Sequence, residues 1–132
     1  MITKWYCRPF ILISLIMALF SLNKASAQDK SLVVRIAKLQ IDSAQLENYK
    51  AALKEHAETA VRVEPGVLTL YAVYEKNHPT HVTVFEIYAN EDAYKAHLET
   101  THFKKYKSTT KDMVKSLELI PCALIALETK SK

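Results

Sequence analysis

The sequence holds a single glycine, Gly66, in 132 residues. Loops that cradle phosphate need several, because the backbone must turn sharply and approach the ligand closely. Nucleotide-binding loops are therefore excluded. No CxxC pair and no Ser-His-Asp signature appears, which leaves hydrolase readings without support. Cysteine is scarce too, with Cys7 and Cys122 only. Acidic residues are missing from positions 1–27, which carry Lys4, Arg8 and Lys24.

That last absence belongs to a pattern. Lys4 and Arg8 precede an apolar run from Phe10 to Leu22, and Ala25-Ser26-Ala27 offers a small-x-small cleavage site. The run is short for a spanning helix, which needs about 20 apolar residues. The pattern predicts a signal peptide over 1–27, cleaved on export to the periplasm or medium. An uncleaved anchor is the alternative. Residues 28–132 then form one small domain, with no membrane association after cleavage. Removing Lys4, Arg8 and Lys24 from the 18 basic residues leaves 15 against 14 acidic ones, so the pI of about 9.0 reflects the leader. A nucleic-acid partner, which demands a clear basic excess, is not expected. Cys122 is left alone in an apolar run and reads as inert core.

Hydrophobic periodicity orders the rest. "LVVRIAKLQI" (32–41) predicts a strand. Asp42-Ser43 offers a helix N-cap, and Leu46, Tyr49, Leu53, Ala57 and Ala60 recur at helical spacing to about Arg62. Glu64-Pro65-Gly66 ends that helix, at a backbone position that demands glycine. Strands over 67–76 and 81–89 flank the turn at 77–80 as a hairpin. Asn90 caps a second helical region, and the stripe Phe103, Tyr106, Thr110, Met113, Leu117 continues it beyond Thr100-Thr101. A last strand spans 117–128, with Pro121 marking a bulge or a sheet edge. The order β-α-β-β-α-β predicts an α+β, ferredoxin-like antiparallel sheet with helices on one face. Strands two and three are apolar on both faces, whereas a sheet with one wet face alternates cleanly. The uncovered face predicts a homodimer packed sheet on sheet.

Within "AHLETTHFKKY" (96–106), His97 and His102 lie five apart, about 140° around a straight helix. A metal pair on one helix face wants i, i+4. The two β-branched threonines predict a break, with Thr101 capping the second segment, so that His97 can point under the sheet towards Glu86 and His102 can close the pocket mouth.

"EPGVLTLYAVY", "FEIYANEDAYKAH" and "THFKKY", in this order and spacing, resemble the antibiotic biosynthesis monooxygenase (ABM) family, in particular its quinol monooxygenase branch. The resemblance covers roughly 32–127. It implies a dimeric α+β barrel with a pocket between sheet and helices in each subunit. It also implies oxygenation of quinol-like or phenolic small molecules with no metal or flavin cofactor; a sister group degrades haem. Tyr88 stands where the family often has tryptophan, so a mechanism leaning on an indole N–H does not transfer.

Oxygenation without a cofactor requires that the phenol lose a proton, so that its anion can reduce dioxygen. A base working near neutrality and an apolar pocket follow. His97 and His102 are the candidate bases, with Glu86 orienting a histidine or tyrosine. Tyr71, Tyr88 and Phe103 are candidates for holding the substrate ring or its oxygen. Each also has a packing reading: a helix histidine closing the core, a cap, a buried structural acid, core aromatics. His56 reads as packing. His78 and His81 flank a proline turn and read as surface residues, with metal ligation the minor alternative, so no metal site is assigned. The competing function is a non-catalytic dimeric module that binds a small apolar ligand or haem.

Overall fold

The computed structural model describes residues 31–130; the expected leader, 1–27, lies outside the described residues. The chain runs β1 (Val33–Ile41), a 3₁₀ turn (Ser43–Gln45), α1 (Leu46–Val63), β2 (Val67–Tyr74), β3 (His81–Tyr88), α2 (Glu91–Glu99), α3 (Thr101–Thr110) and β4 (Val114–Cys122). The four strands form one antiparallel sheet in the order β2-β3-β1-β4. This is the expected ferredoxin-like α+β arrangement, with the second helical region split in two. Among the described residues no helix is long and apolar enough to cross a membrane.

Local chemistry places the boundaries. Asp42 Oδ1 accepts from the Ala44 amide at 2.9 Å and opens the 3₁₀ turn that leads into α1. Asn90 Oδ1 does the same for α2, accepting from the Ala93 amide at 2.8 Å. Helix α1 ends at Glu64, whose backbone turns to an extended conformation ahead of Pro65. Gly66 has no positive φ. Its requirement is close approach instead: a Cβ there would meet the Ala93 Cβ at 2.4 Å. The absent side chain lets the start of β2 sit against α2, and the Gly66 carbonyl accepts from the Ala89 amide at 2.9 Å.

Two expected boundaries move. The stripe through Met113 and Leu117 is not one helix: α3 stops at Thr110, and Leu117 lies within β4. A turn closed by the Met113 amide on the Thr110 carbonyl intervenes. The last strand accordingly begins at Val114 rather than 117 and ends at Cys122. Pro121 sits on an edge strand, as its missing N–H requires.

The main core lies between the helices and one sheet face. Ala37, Leu39, Ile41, Val82 and Val84 pack there against Tyr49 and Leu53 of α1. The opposite face is apolar too, with Val34 and Ile87 buried. Both edge strands leave large apolar side chains exposed: Leu68, Tyr71 and Val73 on β2, Leu117 and Leu119 on β4.

Candidate active site

A cavity of about 90 Å³ opens between the helix-facing side of the sheet and α1–α3. Its floor comes from register. Arg35 on β1 pairs directly with Glu86 on β3, and Ala37 pairs with Val84, so all four project towards the helices. Its walls are largely apolar and aromatic, with Leu53, Tyr88, Tyr94, Phe103 and Tyr106 prominent. The polar groups entering it are few. Tyr88 donates its hydroxyl to Glu86 Oε2 at 3.0 Å. The Arg35 guanidinium lies 4.0 Å over the Tyr94 ring, and its Nε is buried without a hydrogen-bond partner. His56 stacks on Tyr106 at 4.7 Å between ring centroids, and its Nδ1 is likewise buried and unpartnered.

The environment sets their protonation. Burial raises the Glu86 carboxyl above the usual carboxylate range, while the Tyr88 hydroxyl, His97 and Arg35 hold the rise back. For His56 burial acts the other way and, with His97 and His102 adding to it, pushes the imidazole from 6.5 to about 4. His56 is therefore neutral at pH 7. Burial beside Glu86 also raises the Tyr88 phenol, so Tyr88 stays protonated as a donor.

Behind the cavity lies a second cluster. Thr100 leaves the helical conformation at φ −67°, ψ 149° and separates α2 from α3. The expected break is present, with the cap one residue earlier than Thr101: Thr100 Oγ1 accepts from the Phe103 amide at 3.3 Å and donates to the His97 carbonyl at 2.8 Å. The break brings the rings of His97 and His102 to 6.1 Å between centroids. Both meet one carboxylate, Glu64 Oε1, at 2.9 Å from His97 Nδ1 and 2.5 Å from His102 Nε2.

The sequence-based candidates thus fall into four places. Glu86, Tyr88 and Phe103 line the cavity together. His97 is buried behind it, with its ring 5.3 Å from that of Tyr88. His102 lines a neighbouring cavity of about 50 Å³. Tyr71 is apart from all of these, 65% exposed on the far face. Strict alternation from Val67 puts Tyr71 on Val67's side of the sheet. A register shift between Val67 and Thr69 breaks that parity, so Val67 and Leu70 face the helices while Tyr71 pairs with Phe85 on the other side. Of the two partners expected for Glu86, a histidine or a tyrosine, the tyrosine is the one present. Glu86 orients a tyrosine, and the carboxylate that holds the histidines is Glu64, the last residue before the helix-ending proline.

Two cavity residues, Arg35 and His56, escaped the sequence reading. Arg35 had a signal, a lone charge inside the apolar run "LVVRIA". His56 had almost none, because a histidine beside an apolar helix stripe is ordinary packing until its neighbours are known. It lines both cavities and forms the wall between them.

Residues 32–109 match the family described as antibiotic biosynthesis monooxygenase. Among solved structures, the chain is similar to a candidate antibiotic biosynthesis monooxygenase from Bacteroides thetaiotaomicron. The two share 53% identity over 77% of this chain and 97% of that one, with a TM-score of 0.73. A candidate monooxygenase from Lactobacillus acidophilus shares 31% identity over 68% of this chain and 43% of the other, with a TM-score of 0.67. A candidate antibiotic biosynthesis monooxygenase from Nitrosomonas europaea has the same fold at 22% identity, a TM-score of 0.68, and 73% and 92% coverage. No curated protein matches the chain. The family match and the two relatives above 30% identity support a monooxygenase-like role in general terms.

Proposed function

The chain belongs to the antibiotic biosynthesis monooxygenase family, and we propose that it is an exported monooxygenase that oxidises a quinol-like or phenolic molecule with dioxygen, without a bound cofactor, as a homodimer. The observation that carries this reading is Glu86. A carboxylate with a raised pKa lines an apolar cavity walled by tyrosines and phenylalanine, which suits a proton acceptor for a buried phenol.

In this reading the substrate hydroxyl lies against Glu86, which takes its proton. Tyr88 keeps the carboxylate oriented, and Arg35 offsets the negative charge left on the phenolate. The phenolate ring reduces dioxygen and takes one oxygen atom at a ring carbon; loss of water then leaves the hydroxylated quinone. For a hydroquinone the balance is one substrate plus one dioxygen to one hydroxyquinone plus one water. His97 and His102 act through Glu64 as positioning residues rather than as the base, because both are engaged with that carboxylate and neither lines the main cavity.

A cavity of about 90 Å³ is smaller than the ~150 Å³ that admits benzene in an engineered protein core. A substrate ring therefore requires the walls to give. The exposed leucines 117 and 119 on β4, which line the cavity, are where a second subunit would reshape it. Export rests on the N-terminal pattern, and dimerisation on the apolar side chains that β2 leaves exposed on the far sheet face, Tyr71 and Val73.

Oxygen-electrode traces with a panel of hydroquinones test the reading. Protein-dependent uptake of one dioxygen per substrate, retained after exhaustive chelation and without added flavin, is expected. Binding of the same molecules, or of haem, with no oxygen uptake would overturn it in favour of a non-catalytic binding module.

A further inference from the structure

The β2–β3 turn carries three side chains that the proposed oxygenation does not use: Glu75, His78 and His81, spaced E-x-x-H-x-x-H. All three are exposed. Their donor atoms converge. Glu75 Oε2 lies 3.4 Å from His78 Nδ1 and 3.6 Å from His81 Nδ1, and the three atoms lie within 4.8 Å of one another. The two imidazoles face each other at 5.5 Å between centroids, tilted by 20°. The turn beneath them is fixed by its own backbone. The Glu75 amide donates to the His81 carbonyl at 3.1 Å, His78 to Glu75 at 3.2 Å, and His81 to His78 at 2.9 Å, around Pro79.

We propose that Glu75, His78 and His81 form a binding site for a divalent zinc-class cation, separate from the oxygenase cavity. Ligand atoms at 2.0–2.2 Å from a tetrahedral zinc ion lie about 3.4 Å from one another. The two carboxylate–imidazole separations in the turn match that spacing. Two histidines and one carboxylate also form a ligand set that zinc uses where a fourth position is left to water. Glu75 and His81 border a groove of about 360 Å³ with Lys38, Gln40 and Glu118, which leaves room for that water. The other Glu-His-His set among the described residues, Glu64 with His97 and His102, is different. Its donor atoms stand 2.9 and 2.5 Å apart, at hydrogen-bond contact and too close to share an ion without moving, and His97 is buried.

Calorimetric titration of untagged, chelator-stripped protein with Zn²⁺ tests the site. One equivalent per chain with a micromolar dissociation constant is expected. Loss of second-shell partners alone costs about 10–100-fold in metal affinity, so the double variant His78→Ala/His81→Ala should lose at least tenfold. Glu75→Gln should weaken binding in the same direction. All three positions are exposed, and circular dichroism of the variants should match the parent. Absence of binding in the parent below millimolar Zn²⁺ would overturn the proposal. So would stoichiometric binding that survives the double substitution, which would move the ion elsewhere.

Discussion

Glu86 and His56 respond to burial with opposite signs, and each carries a prediction. Replacing Glu86 with glutamine keeps the shape and removes the base. Loss of a general base costs typically about 10²–10⁴ in rate, and Glu86→Gln should lower oxygen-dependent turnover by that much. Because burial already disfavours the ionised form, the melting temperature should hold or rise. His56 answers to acid. Its folded-state pKa of about 4 lies below the unfolded value of 6.5. As pH falls from 6.5 to 4 the unfolded chain binds the proton and the folded one does not, so stability is lost across that window, by on the order of 2 kcal/mol after allowance for partial screening. Glu86 works against this, since its raised pKa lets the folded state take up a proton first. The His56 contribution is therefore isolated by comparison. His56→Asn should flatten the decline in urea midpoint between pH 6.5 and 4; an unchanged decline would remove His56 as its source. Glu86, Tyr88 and Phe103, which line the cavity together, are named by the sequence because family spacing points to them. His56 is missed, because its chemistry exists only through His97, His102 and Tyr106, residues of other helices that sequence spacing does not bring near.

At the scale of elements, the interruption at Thr100 builds the histidine cluster. The β-branched pair announced a break, and the break is what carries His97 and His102 onto one carboxylate. Thr100→Ala removes both the cap to Phe103 and the bond to the His97 carbonyl. Capping losses cost about 1 kcal/mol, so a comparable drop in unfolding free energy is expected, with turnover reduced if the histidines position the cavity wall. The Gly66–Ala93 contact is the other hinge of the architecture. Gly66→Ala forces a methyl into Ala93, and overpacking of this kind costs about 1–3 kcal/mol. Ala93→Gly in the same chain should restore part of it, and a double-mutant cycle in denaturant reads the coupling. Strictly additive effects would mean that the two do not meet. The β2 alternation was the least legible feature. One register shift near Leu68 turned Tyr71 to the far face, because a period of two reverses every later side chain when a residue is inserted. The α3–β4 boundary misled for a related reason: Met113 and Leu117 fit a helical stripe and a strand equally well.

For the whole molecule, the order of elements was readable from periodicity and turn residues, and the fold follows it. Tyr71 and Val73 of β2 stand exposed on the far sheet face, where a partner sheet would cover them. Val73→Glu should either dissociate a dimer or prevent folding, and light scattering of the parent as a stable monomer at micromolar concentration would contradict the dimeric reading. Intact mass of the protein recovered from the periplasm should begin at Gln28. The central claim, that Glu86 lets the buried cavity oxygenate a phenol, is tested most directly by turnover of a hydroquinone under ¹⁸O₂ with parent and Glu86→Gln side by side. One ¹⁸O atom in the quinone product of the parent and a rate about 10²–10⁴ lower for the variant are expected. An unlabelled product, or equal rates of labelling in the two proteins, would contradict the claim.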